Sequence, residues 1–332
     1  MELRGWVELD GRRLAPGEVA ALVAADDPRV ARFGGEFCLA LGDLRARDRL
    51  GIVPCDCPAG VLERDGEAVL RIAPAVPDLP LAEAIEEAVA LRADEGVVAL
   101  SGGVDSALIA ALAGRPCVAV GMAESHDLAR ARRAAALIGL DLDTVEVTPG
   151  QVEEALRAVL AVLPRPASPL DASIAATLYF VAGWAAEHDH ERVLVGQGAD
   201  QLFGGYARYR GGTATRRLLA EDFAALPAEL ARDQAVAGRF GRTFSLPYLD
   251  CRVVRAARAL PPGSLVRDGI GKQPLREVAA ALVPDEIARH PKKAMQYGSG
   301  IWREIRRLSR HNGYKNSVRG YLVTLERDAY GR

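Results

Sequence analysis

Leu100-Ser101-Gly102-Gly103-Val104-Asp105-Ser106 is the stretch on which the fold turns. It ends a continuous apolar run, Val97-Val98-Ala99-Leu100, and opens an Ala/Leu/Ile-rich segment of helical period. A doubly buried strand, a glycine turn and a helix, in that order, make the first half of a βαβ unit. Two consecutive glycines let the backbone bend tightly and approach an anion with no Cβ in the way. The first N–H groups of the helix then face that anion from the positive end of its dipole. Ser101 and Ser106 add hydroxyl donors. Asp105 alone would repel a phosphate, so it makes best sense as a Mg2+ ligand. The GxxxxGK[ST] spacing and lysine of a nucleotide P-loop are absent.

The strand–helix alternation continues outward. Further apolar runs lie at Cys117-Val118-Ala119-Val120, Thr144-Val145-Glu146-Val147 and Arg192-Val193-Leu194-Val195. Helical patterns fall at about 127–138, 151–163 and 172–187. The sequence therefore predicts an α/β fold with a parallel sheet, followed from about 211 by a mostly helical C-terminal part. Upstream, residues 1–72 hold short apolar stretches broken by turn residues, a small β-rich unit. Residues 73–80 carry three prolines and read as a linker. A helix follows from about Leu81, with Ile85, Ala88 and Val89 on its apolar face.

Composition bounds the function. With 332 residues, of which 49% are hydrophobic, the chain supports one large domain or two. Its 42 Lys+Arg balance 44 Asp+Glu, which removes the simplest case for a nucleic-acid binder. No apolar run is long enough to span a bilayer and no signal-peptide layout opens the chain, so it reads as cytoplasmic, with no membrane partner. Five cysteines form no CxxC pair, and Cys55 and Cys57 read as reduced thiols in a turn.

A second motif follows the fourth apolar run: Gly196-Gln197-Gly198-Ala199-Asp200-Gln201-Leu202-Phe203-Gly204-Gly205-Tyr206. In a parallel sheet, loops at the carboxyl ends of neighbouring strands share a ligand site. Asp200 opposite Asp105 would bracket a Mg2+ ion for a departing pyrophosphate. The first motif resembles the SGGxDS PP-loop of ATP pyrophosphatases, and the second the GEGADELFGGY signature of the asparagine synthetase family. Leu246-Pro247-Tyr248-Leu249-Asp250, Lys272-Gln273-Pro274-Leu275-Arg276 and Arg289-His290-Pro291-Lys292 resemble that family's PFLD, KxxLR and R-x-P-K elements, in its order. The resemblance covers about 81–293.

The resemblance implies an ATP-pyrophosphatase domain over 81–332, with ATP and Mg2+ as its cofactors. ATP contacts would come from Leu100, Ser101, Gly102, Gly103, Asp105, Ser106, Val120, Gly121 and Gly196, with adenine against the backbone near Val120-Gly121-Met122. Mg2+ would sit on Asp105 and Asp200. Lys272 and Lys292 would place charge on the β- and γ-phosphates, and Gln197 would act at the acyl group. Lysine is scarce in this Arg-rich chain, and a compact ammonium suits phosphate as a point charge. The reaction implied is a carbon–nitrogen ligation: a carboxylate is activated as an acyl-adenylate, pyrophosphate leaves, and ammonia or another amine forms the amide.

Two departures qualify the match. The signature has glutamate where this chain has Gln197 and again Gln201, and an amide cannot serve as a general base. Glu2 stands where full-length relatives have the nucleophilic cysteine of a glutaminase domain. Phe33-Gly34-Gly35-Glu36-Phe37 and Ala46-Arg47-Asp48-Arg49-Leu50-Gly51-Ile52-Val53-Pro54 still resemble that domain, so residues 1–72 read as a shortened relic without glutamine hydrolysis. Nitrogen would come from ammonia, an amine or a separate glutaminase subunit. A PP-loop RNA-modifying enzyme is the alternative that the stripe Arg303, Arg306, Arg307, Arg310 encourages. A non-catalytic ATP-binding regulator is the alternative that Gln197 and Gln201 encourage. A solvated helix face is the favoured reading of the stripe, with Trp302, Ile305 and Leu308 facing inward.

Overall fold

The computed structural model describes residues 1–211, 214–290, 295–315 and 317–330. In chain order, β1 (Glu2–Leu9) and β2 (Arg12–Arg13) precede α1 (Pro16–Ala24), and β3 (Gly34–Leu41), β4 (Leu44–Arg47), β5 (Val61–Arg64) and β6 (Glu67–Arg71) follow. Then come α2 (Leu81–Ala90), β7 (Val97–Ala99), α3 (Val104–Ala113), β8 (Cys117–Met122), α4 (His126–Ile138) and β9 (Leu142–Val147). Next are α5 (Pro149–Leu160), α6 (Pro169–Glu187), β10 (Arg192–Leu194), α7 (Ala199–Phe203), α8 (Arg216–Gly238), β11 (Thr243–Ser245) and α9 (Cys251–Ala259). After them lie β12 (Val266–Arg267), β13 (Ile270–Gly271), α10 (Gln273–Ala280), α11 (Asp285–Ala288), α12 (Met295–Gly298), α13 (Ile301–His311) and α14 (Val318–Tyr330). The architecture is α/β with a parallel sheet, a helical C-terminal part and a small β-rich N-terminal sheet, as the sequence predicts.

The chain forms two compact units, each assembled from three stretches. The first holds 1–94, 196–234 and 245–274. Its antiparallel sheet has the order β2-β1-β3-β4-β5-β6. One face packs Val7, Phe37, Leu39 and Leu62 against Val19, Val23, Val30 and Phe33. Helix α1, which carries Val19 and Val23, is not foreseen by a β-rich reading. Pro16 in its first turn and Glu18, which accepts from the Ala15 amide at 2.8 Å, are its local signals. Cys38 and Cys55 form a disulfide, which corrects the reading of Cys55 as reduced; β3 brings Cys38 beside the 51–58 turn, a pairing that no spacing rule could anticipate.

This unit also contains a buried ionic core. Arg92, 1% exposed, donates to Glu36 Oε1 at 2.8 Å and to Asp250 Oδ2 at 2.9 Å. Arg252 reaches Glu8 at 2.8 Å and the other oxygen of Asp250 at 3.0 Å. Glu36 also accepts from the Leu246 amide and the Ser245 hydroxyl. Such charges survive in the interior because every oxygen meets a donor. Burial raises Glu8, whereas Asp250, though burial opposes it, is held low by Arg92 and Arg252.

The second unit holds 95–195, 235–244 and 275–332. Its sheet has the order β11-β10-β7-β8-β9, with β10, β7, β8 and β9 parallel. Val97, Val98, Val193 and Leu194 are fully buried, which explains their continuous apolar runs. Val193 lies opposite Val97 and Leu194 opposite Val98, so these two strands end side by side. Strand β9 is a half-buried edge, hence its mixed Thr-Val-Glu-Val pattern. Ser125 and Thr148 cap α4 and α5, and Gly139 ends α4 in the left-handed conformation. In α13, Ile305 and Leu308 are buried while Trp302 is only half-buried; Arg303, Arg306, Arg307 and Arg310 face solvent. Among the described residues no helix is long and apolar enough to cross a membrane.

Candidate active site

The Ser101–Ser106 loop occupies the carboxyl end of β7 in the second unit. Leu100, buried, still pairs as strand, its amide donating to Val118 at 2.8 Å. Gly102 has φ 74°, and a Cβ there would collide with the backbone of Arg130. Only glycine lets the turn lie this close to α4. The Ser101 and Ser106 hydroxyls stand 3.1 Å apart, and Ser106 Oγ also accepts from the Ser101 amide at 3.2 Å. The N-cap of α3 is Gly103, and no side chain caps the helix. Ser101 Oγ accepts from the Gly103 amide at 3.4 Å, so the serine closes the turn just ahead of the helix.

Arg276, from the Lys272–Arg276 element, belongs to the same unit and was not among the expected site residues. It is buried, and its guanidinium donates to the carbonyls of Ala288 at 2.7 Å and His290 at 3.0 Å. Burial pushes it down from the ordinary arginine value, and the charge of Asp105 opposes that shift. It thus ties the chain leading into the Arg289–Lys292 element to the electrostatics of the Asp105 loop. Lys292 itself lies outside the described residues.

Gly121 packs at the tip of β8, where a Cβ would strike Ser125 Oγ. The Met122 amide donates to Ser299 at 2.8 Å. One of the main-chain donors expected near the adenine is therefore already taken by the segment before α13. Val120 is buried beside it.

In the first unit, Gly196–Tyr206 forms the short helix α7 and its flanking turns. Lys272, 1% exposed, extends Nζ to within 2.8 Å of Asp200 Oδ1. The carboxylate expected to hold the cation and the ammonium expected to hold phosphate are therefore partners of each other. Their approach explains the Gly204-Gly205 pair: a Cβ on Gly205 would overlap both the Asp200 carboxylate and Lys272 Cε. Lys272 takes a left-handed φ of 64°, and its amide donates to Phe203 at 3.0 Å. Gly196 is half-buried at the entrance to the loop.

The two departures from the signature have partners on α8. Gln197 Nε2 lies 3.5 Å from Asp233 Oδ2, and Gln201 Nε2 donates to Glu229 Oε2 at 3.0 Å. Glu229 is pushed up by burial and by Asp233 and Asp200, with Arg232 opposing. Tyr206 donates its hydroxyl to Glu229, and burial first, then that carboxylate, pushes its phenol well above the ordinary value. These acids escaped the sequence reading because they lie 28 and 36 residues from their partners with no motif of their own.

Asp105 in the second unit and Asp200 in the first are each hard oxygen donors, the type that Mg2+ takes. Among the described residues no group of three or more His, Cys, Asp or Glu could hold a metal.

Comparison with known proteins agrees with the motifs. The asparagine synthase family model matches residues 80–241 and 211–323. A putative glutamine-hydrolyzing asparagine synthetase of Methanocaldococcus jannaschii is 31% identical over 278 residues, 70% of this chain and 51% of that protein. The carboxyethyl-arginine beta-lactam-synthase of Streptomyces clavuligerus is 27% identical over 334 residues, 90% of this chain and 62% of that protein. The chain thus spans between half and two thirds of the length of these relatives. Among solved structures, the NMN synthetase of Francisella tularensis aligns over 77% of this chain and 94% of its own at 17% identity, with a TM-score of 0.36. With its family model matched across more than half of its length, the chain belongs to the asparagine synthase family.

Proposed function

We propose that the protein is an ATP-dependent, amide-forming ligase of the asparagine synthetase type. The observation that carries this reading is the placement of two family motifs: one follows β7, the other follows β10, and these parallel strands end side by side. The substrate carboxylate attacks the α-phosphorus of ATP, pyrophosphate leaves, and an amine displaces AMP from the acyl-adenylate. Leu100 and Ser101–Ser106 cradle the phosphates, with Gly196, Val120 and Gly121 toward the rest of the nucleotide. Asp105 and Asp200 hold Mg2+, which when bound neutralises the leaving pyrophosphate. Lys272 and Lys292 carry the remaining counter-charge. Catalysis of this kind is mostly positioning and charge neutralisation. Gln197 orients the acyl group. Ammonia, another amine or a separate glutaminase subunit supplies nitrogen, and the cytoplasm, where ATP is abundant, is the setting.

The test is a pyrophosphate-release screen over amino acids and related carboxylates, L-aspartate and carboxyethyl-arginine included, with ammonia and simple amines. At least one acid gives release, and Asp105→Ala, Asp200→Ala and Lys292→Ala each reduce it by more than 100-fold. Unchanged turnover in any of the three removes that residue's role; no release with any acid removes the reading.

A further inference from the structure

Three sulfur atoms meet in the first unit. Cys38 on β3 is bonded to Cys55, and the Cys57 thiol donates toward Cys55 Sγ from 3.6 Å. Cys57 is 4% exposed and Cys38 8%, whereas Cys55 is half-buried. The approach is local in origin: Pro54 and Pro58 flank an irregular run in which only Asp56 separates the two cysteines. A thiol beside a disulfide sulfur has the arrangement of a nucleophile beside its electrophile.

The far end of the bond is furnished for departure. Arg4 on β1 donates Nη2 to Cys38 Sγ at 3.4 Å and to the Pro54 carbonyl at 2.8 Å. A guanidinium at that distance supplies the counter-charge that a released Cys38 thiolate needs. Cys57 is in the opposite position. Burial first, then Glu63, pushes its thiol up, with Arg47 and Arg45 opposing and Asp48 adding to the rise. Those charges face it from β4, β5 and the residue after β4. As pH rises, the arrangement whose free thiol ionises more readily gains, and that arrangement has Cys38 free and Cys57 bonded.

We infer that Cys38, Cys55 and Cys57 form a thiol–disulfide exchange site in which Cys57 takes Cys55 from Cys38. The Cys57 thiol gives its proton to solvent, and the sulfur lone pair forms the Cys57–Cys55 bond. The Cys55–Cys38 bond breaks, and its electron pair leaves on Cys38 beside Arg4. One disulfide and one thiol stand on each side of the step, so no external oxidant or reductant is consumed. The transfer unfastens β3 from the 51–58 turn, two residues from Glu36, the carboxylate that holds Arg92. This inference is independent of the ligase reading.

The experiment follows the bond in the full-length protein. Tryptic peptide 33–45 carries Cys38, and peptide 50–64 carries both Cys55 and Cys57. Protein held at pH 7 or pH 9 is quenched in acid, denatured and labelled with N-ethylmaleimide, and its peptides are read by mass spectrometry. At pH 7 the two peptides are cross-linked, with label on Cys57. At pH 9 the label on Cys38 rises at least tenfold, and peptide 50–64 runs unlabelled and two hydrogens light. Return to pH 7 before the quench restores the cross-link. Arg4→Met lowers the Cys38 label about tenfold, Arg4→Lys retains it, and Cys57→Ser keeps the peptides cross-linked at both pH values. A wild-type cross-link that persists at pH 9, or a separation that Cys57→Ser leaves unchanged, overturns the inference. So does a rate that grows with protein concentration, the mark of exchange between molecules.

Discussion

Asp48 shows how one buried group couples this protein to pH. Its carboxylate accepts from the amides of Leu50, Ile52 and Val53 at 2.9–3.1 Å. Burial nevertheless dominates and pushes it up to about 6, with Glu36 adding to the rise. The folded value lies above the unfolded one, so the native state holds this proton more tightly. Stability from Asp48 is full below pH 4 and is lost as pH rises through 6. Urea unfolding of Asp48→Asn at pH 4 and pH 7 reads this directly: the variant's disadvantage against wild type narrows by about 2 kcal/mol at the higher pH. Residues of this kind were only partly legible. The Arg-Asp-Arg run marked a motif, but its burial depends on strands that pair across the sheet. Gln197 and Gln201 stood out as departures; Glu229 and Asp233 carried no signal until α8 placed them.

At the scale of elements, apolar period was a faithful guide where an element packs on both sides. Strands β7, β8 and β10 read as unbroken runs because neither face meets water. Strand β11, three residues of Thr-Phe-Ser at the sheet edge, has no such pattern and was missed. Helix α2 matched its expected apolar face, yet sequence gave no hint that Arg92, just beyond its end, would be buried between Glu36 and Asp250. A charged residue near a helix end reads as solvated until its partners, 56 and 158 positions away, are known. Removing it leaves Glu36 without a cation in a dry interior and Asp250 with Arg252 alone. Arg92→Met therefore costs about 3–5 kcal/mol, measured as the shift in urea midpoint at constant m-value.

Across the whole molecule, two motifs and the strand–helix alternation sufficed for the fold class and the family. They could not reveal that each compact unit is discontinuous in sequence. The first unit takes in 196–234 and 245–274 along with the N-terminal sheet, so segments carrying Asp200 and Lys272 fold beside strands that read as a separate β-rich region. Residues 81–332 expressed alone lose Glu8 and Glu36, the counter-charges of Arg252 and Arg92. That fragment unfolds at a markedly lower urea concentration than the full chain, or fails to accumulate in soluble form; an unchanged midpoint would show that the ionic core is dispensable.

The pairing of Lys272 with Asp200 carries one more implication. An ammonium already engaged by a carboxylate is available to a triphosphate only once that carboxylate finds another positive partner. The divalent ion and the nucleotide would then arrive as mutually dependent guests, each raising the affinity of the other. Titrating nucleotide at several magnesium concentrations would expose this synergy as a dissociation constant that falls more steeply than solution chelation alone requires.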